Sequence, residues 1–246
     1  MFAANLGGVF RLYRAALARC WFPALLLALC WGAAATLLNR RLPATDDFYL
    51  WAAQAQALVW SGYFWRLLVV TGALALLLYC AIVAEIYAAA VRGGDPALAG
   101  FAPALRALPG ALVAATVFLA GTSLGTMLFV VPGALLWGMW QLWLVVLVVE
   151  RNGPIASLQR SWQLMAGAWW RITTLLTVVT FIAMVPPLVL DAVLGSFLAW
   201  SGVELAHATG IMTVAGGLLN ALLVPLVPAA LVAAYLDRLR SQVVLP

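Results

Sequence analysis

Long unbroken apolar runs, such as ALVAATVFLA and WLVVLVV, constrain this chain more than any other feature. A segment of that kind has no polar face to offer water, so it is buried in protein or in lipid. Composition decides between the two. Hydrophobic residues make up 66% of the chain and charged residues 9%, with a mean hydropathy of +1.07. A soluble domain of this length cannot hide that much apolar surface. In a bilayer the backbone must satisfy its own hydrogen bonds, which leaves helices or a closed barrel. Barrel strands alternate apolar and polar residues, and these runs do not alternate. The expected fold is all-α: a polytopic transmembrane helical bundle with amphipathic interfacial helices.

A span needs about 20 apolar residues to cross roughly 30 Å of hydrocarbon. Six segments qualify, at 20–38, 67–91, 108–131, 134–150, 172–190 and 211–236, with a tight turn at Pro132-Gly133 between the third and fourth. All the basic charge is arginine. With six spans, Arg11, Arg14, Arg19, Arg92, Arg106, Arg151, Arg160, Arg171, Arg238 and Arg240 fall on one side, and Arg40, Arg41 and Arg66 on the other. The positive-inside rule then places both termini in the cytoplasm. Segment 46–66, with Asp46, Asp47 and three tryptophans, reads as an outer interfacial helix rather than a seventh span, because a seventh would invert the arginine balance downstream. The net charge of +5 is spread along membrane edges and does not point to nucleic acid.

Two further segments have the pattern of surface helices. In 4–19, Leu6, Val9, Phe10, Tyr13 and Leu17 share a face opposite Arg11, Arg14 and Arg19. In 154–171, Ile155, Leu158, Trp162, Met165 and Trp169 recur at spacings of three and four, and Pro154 suits a first helical turn. Each stripe fits the headgroup plane or the end of the bundle, and the sequence leaves both open. In the first case Arg11, Arg14, Arg19, Arg160 and Arg171 are the expected contacts to anionic phospholipid.

The stretch VPGALLWGMWQLWLVVLVVERNGPIASLQRSWQLMAGAWWRI has a recognisable pattern. It combines the Pro132-Gly133 turn, an aromatic-rich span, the acidic end Glu150, Gly153-Pro154, and Ser161, Trp162, Leu164, Gly167 and Trp170. It resembles the membrane domain attached to some bacterial glycerophosphoryl diester phosphodiesterases, and that domain's stand-alone inner-membrane relatives. The amphipathic start GVFRLYRAALARCWFPALLLA and the end AAYLDRLR resemble the family's two ends. The resemblance implies an inner-membrane helical domain. It does not imply phosphodiesterase activity, which in the fused proteins belongs to a soluble barrel domain.

Catalytic groups are scarce. The single histidine, His207, has only Glu204 beside it, and two ligands make a poor metal site; the pair reads as an exposed loop. Cys20, Cys30 and Cys80 lack metal spacing and read as apolar filler. There is no P-loop and no serine with a recognisable base. No cofactor, metal or enzymatic activity is expected, and no cleaved signal peptide. Within the spans, Glu85, Gln141 and Asn220 are polar, and such residues either line a pathway or cross-link helices. Gly121 and Gly125 form a G-x-x-x-G pair suited to close helix packing. Pro186-Pro187 should break or kink span five, leaving 191–200 as a separate helix, and Pro225 and Pro228 should do the same to span six.

Two functions remain. The leading one is a non-enzymatic, lipid-associated accessory or scaffold subunit, with anionic phospholipids and another membrane protein or a second copy as partners. The alternative is a transporter or channel for a small solute or lipid, using Glu85, Gln141 and Asn220. A membrane-embedded lipid-modifying enzyme would need a polar cluster at headgroup level that these residues do not assemble.

Overall fold

The computed structural model describes residues 2–42, 47–91, 100–203 and 205–243. Asp46, Arg92 and Glu204, and the side chain of His207, lie outside them. Ten helices and no strands occur among the described residues: α1 (Phe2–Asn39), α2 (Phe48–Val59), α3 (Gly62–Val91), α4 (Phe101–Leu128), α5 (Val130–Met139), α6 (Trp143–Glu150), α7 (Pro154–Met165), α8 (Trp169–Trp200), α9 (Leu205–Leu223) and α10 (Leu226–Val243). Six segments among the described residues are long and apolar enough to cross a membrane: Leu6–Leu38, Gly62–Val91, Phe101–Leu128, Val130–Glu150, Trp169–Leu198 and Gly210–Gln242. The chain is a multi-pass helical bundle, and an even number of spans puts both termini at one end.

The six segments coincide with the six apolar runs, but their limits differ in informative ways. Residues 4–19 are not a separate helix. They continue into span one as a single helix of 38 residues, about 57 Å long at 1.5 Å per residue, so its first turns project past the hydrocarbon. There they pack on protein: Val9 and Ala16 are buried, and the Tyr13 hydroxyl donates to the Leu222 carbonyl at 2.7 Å. In segment 46–66, α2 has 12 residues, about 18 Å, too short to span. Asp47 caps it, accepting from the Tyr49 and Leu50 amides, which is what an aspartate does at a helix start. At the same end of the bundle the Arg41 guanidinium stacks on the Tyr63 ring, 4.8 Å from its centroid.

The reversal between spans three and four falls at Phe129, the one extended residue between α4 and α5. The expected turn at Pro132-Gly133 lies inside α5. Pro132 sits in that helix's first turn, where its missing N–H is not needed, and Gly133 serves packing instead. Span five does not break and leaves no separate helix at 191–200, since α8 runs on for 32 residues through Pro186 and Pro187. Proline removes a donor, but in lipid a chain that left the helix would find no water to replace the rest of its bonds. Span six does break, at Val224-Pro225 between α9 and α10, while Pro228 occupies the first turn of α10.

The interior centres on α6, whose residues Trp143 to Val148 are all buried. Helices α3, α4, α7 and α10 surround it. Helix α7 folds back against α6 and buries Ser157, Leu158, Ser161, Leu164 and Met165. The apolar stripe read from the sequence is therefore divided, with Leu158 and Met165 inside but Ile155 and Trp162 exposed. The true inner face carries two serines because both are hydrogen-bonded.

Candidate functional site

The polar residues of the spans do not converge. Glu85, on α3, is 1% exposed. Its Oε1 accepts from the Gly100 amide at 2.7 Å, and Gly100 immediately precedes α4. A carboxylate there offsets the positive end of a 28-residue helix. Gly100 must be glycine for this approach: a Cβ would stand 2.7 Å from the Ala81 carbonyl oxygen and 2.9 Å from Glu85 Cγ. Glu85 Oε2 is buried with no partner among the described residues. Gln141 lies in the break between α5 and α6, with its Oε1 likewise buried and unpartnered. Asn220 is exposed on α9, which packs mainly on α1 and α8. Three different neighbourhoods hold the three residues.

Glu85 accordingly tests as an anchor. Glu85→Gln keeps an oxygen for the Gly100 amide and should leave stability nearly unchanged. Glu85→Leu strands a buried N–H and should cost about 1–3 kcal/mol. Denaturant unfolding of both variants in micelles checks this, and equal losses would contradict it.

Gly121 and Gly125 are packing residues within the chain. A Cβ on Gly125 would come within 3.0 Å of Gly133 Cα, and one on Gly121 would meet the Trp140 ring at 2.7 Å. The G-x-x-x-G pair thus lets α5 lie directly on α4.

What does converge is charge, at the end of the bundle holding the termini. A groove of about 470 Å³ opens where α1, α3, α8 and α10 meet. Arg11 from α1, Arg171 from α8, and Asp237 and Arg240 from α10 line it. Its walls are apolar and mostly small, including Leu12, Ala89, Ala90, Ile172 and Leu175. Arg171 Nη2 donates to Asp237 Oδ2 at 2.8 Å, and Arg171 Nε is buried without an acceptor among the described residues. Neither Arg11 nor Arg240 has a carboxylate partner among the described residues. Guanidinium groups over an apolar wall have the chemistry to meet a phosphate attached to hydrocarbon: the planar fork suits the oxygens, and the wall suits the chain.

Of the five arginines expected to meet lipid, the groove gathers Arg11 and Arg171. Arg14 is exposed and Arg19 half-buried on α1, and neither lines the groove. Arg160 is engaged internally, at 3.6 Å from Glu150 and bonded to Gln242 at 3.2 Å. Glu150 also accepts from the Tyr235 hydroxyl at 2.9 Å and from Asn152 at 2.8 Å. Arg238 closes the turn between α7 and α8, donating to the Leu164 and Ala166 carbonyls. Sequence reading missed Asp237 and Arg240 as site residues, although their spacing of three sets them on one helical face.

A second cleft of about 250 Å³ is lined by Arg106 and Arg151 beside Gly110 and Leu147. Neither cleft includes Glu85, Gln141 or Asn220. Among the described residues no three His, Cys, Asp or Glu side chains cluster as metal ligands would. The chain matches no family model, no curated protein and no solved structure.

Proposed function

We propose that this is a non-enzymatic, lipid-associated accessory or scaffold protein of a bacterial inner membrane, with both termini in the cytoplasm. It seats the headgroup of an anionic phospholipid in the groove at its cytoplasmic edge. The observation that carries this reading is the meeting of Arg11, Arg171 and Arg240 over an apolar wall. The arginine asymmetry supports the orientation, and the six apolar segments of spanning length support the membrane. Such a protein works by holding lipid and neighbours together, so another membrane protein or a second copy is its expected partner.

Lipid carried through purification tests the reading. Two cations near the surface contribute about 1 kcal/mol each, so the double variant Arg11→Gln/Arg240→Gln should retain roughly 30-fold less anionic phospholipid. Retention equal to the parent chain would remove the groove from the proposal, and a protein that keeps neither lipid nor partner from native membranes would remove the proposal itself.

For the transport reading, which uses Glu85, Gln141 and Asn220, the supporting observation is that Glu85 Oε2 and Gln141 Oε1 are buried without partners among the described residues. That reading requires that Glu85→Gln abolish flux in reconstituted vesicles while the fold persists. Unchanged flux would leave Glu85 as an anchor for α4 alone.

A further inference from the structure

The charges around the groove are unequal. Three guanidinium groups face one carboxylate, leaving two positive charges among its described residues. Asp237 occupies one Arg171 donor, Arg171 Nε has no acceptor, and Arg11 and Arg240 are without carboxylates among the described residues. A headgroup with one negative charge would neutralise only one of these two cations, and both Arg11 and Arg240 are exposed; engaging the second is worth about fivefold in retention, the effect of one cation near a membrane surface.

We infer that the groove selects a lipid headgroup carrying two negative charges over one carrying a single charge. This rests on the lipid-binding reading above and adds a charge specification to it. Two chemistries meet it: a phosphomonoester, doubly ionised above its second pKa near 6, or two phosphodiesters joined by a short bridge. The space of about 470 Å³ accommodates either headgroup. A soluble phosphate ester offers the same charge, but Leu12, Ile172 and Leu175 give the groove an apolar side that only a lipid would use. Asp237 sets the charge at two instead of three and, through its bond to Arg171, holds that guanidinium at the groove.

The test uses the full chain in nanodiscs of phosphatidylcholine at pH 8. Each disc carries an equal mole fraction of phosphatidic acid, cardiolipin, phosphatidylglycerol or phosphatidylethanolamine, and bound lipid is counted by native mass spectrometry. At least one of the two doubly charged lipids should be retained about fivefold or more over phosphatidylglycerol. Bulk attraction to any basic surface also favours higher charge, so the variants decide. Arg240→Gln lowers the groove to one net charge and should bring the ratio near one. Asp237→Asn raises it to three and should increase the ratio, whereas Arg14→Gln, outside the groove, should leave it unchanged. A parent ratio near one would overturn the inference while leaving anionic-lipid binding intact, as would an Arg14→Gln effect equal to that of Arg240→Gln. Retention of no anionic lipid by any form would overturn the underlying reading as well. Displacement of bound lipid by millimolar glycerol phosphate would reassign the groove to a soluble ligand; lipid retained in its presence supports the lipid source.

Discussion

Gly133→Ala is expected to destabilise the protein by about 3 kcal/mol or more, the upper end of what one added methyl costs in a packed interior. The size follows from what the methyl would meet. It would lie 2.6 Å from the Thr126 backbone nitrogen and 2.7 Å from its Cα, and a helix backbone cannot rotate out of the way. Gly125→Ala faces Gly133 backbone at 3.0 Å and should cost less. Gly121→Ala meets only the edge of the Trp140 ring, a side chain that can shift, and should cost least. Gly72→Ala on α3 has nothing within 4 Å and should be neutral or gain up to about 1 kcal/mol of helix propensity. Denaturant unfolding in micelles ranks the four. The ordering Gly133, Gly125, Gly121, Gly72 is the signature of a backbone-to-backbone contact, and a Gly133→Ala midpoint equal to the parent's would contradict it.

That contact also shows which parts of the fold the sequence disclosed. The six spans were legible because each is an apolar run of bilayer length, a property of composition in a window that needs no knowledge of neighbours. The G-x-x-x-G pair was legible for a similar reason, as small residues on one helix face. Turn and break positions were not, because proline and glycine each have two uses. Pro132 and Gly133 read as a turn, yet one fills a first helical turn and the other lets α5 touch α4. Pro186-Pro187 read as a break or a kink and does not break the helix it lies in, while Pro225 does mark a break. Which use applies depends on the partner helix, which local sequence does not name.

The candidate site was legible by half. Arg11 and Arg171 stood out as cations on amphipathic segments, a pattern visible within one helix. Their meeting with Asp237 and Arg240 depends on how α1, α8 and α10 pack, across most of the chain's length. The intramembrane polar residues show the converse. Glu85, Gln141 and Asn220 were picked out singly by the cost of burying polarity, but a pathway would need them together. Glu85 instead answers a local demand, the amide of Gly100 at the start of α4. Of the two buried serines, Ser157 is absent from the sequence reading and Ser161 enters it only through the family pattern, because a serine in an amphipathic helix is ordinarily assigned to the wet face.

Ser161→Ala is the second substitution expected to have a large effect. Span four is interrupted at residues 140–142 between α5 and α6, and a helix break inside a bundle leaves backbone groups without their usual partners. Ser161, reaching in from α7, serves two of them: its hydroxyl donates to the Met139 carbonyl at 3.0 Å and accepts from the Leu142 amide at 3.1 Å. A hydrogen bond between membrane helices averages only about 0.6 kcal/mol, because the displaced partner usually finds another. Here the residue is fully buried, so alanine leaves both an N–H and a C=O without an acceptor or donor. At about 1–3 kcal/mol for each unsatisfied group, the loss should reach about 2–6 kcal/mol. Ser196→Ala is the matched control, since its hydroxyl bonds only the Ala192 carbonyl of its own helix at an exposed position, and it should change stability by less than about 0.5 kcal/mol. Amide exchange of Leu142 should also accelerate in Ser161→Ala and not in Ser196→Ala. If Ser161→Ala unfolds like the control and Leu142 exchange is unmoved, the break is held by the packing of Trp143 and its neighbours, and the serine bridge is incidental.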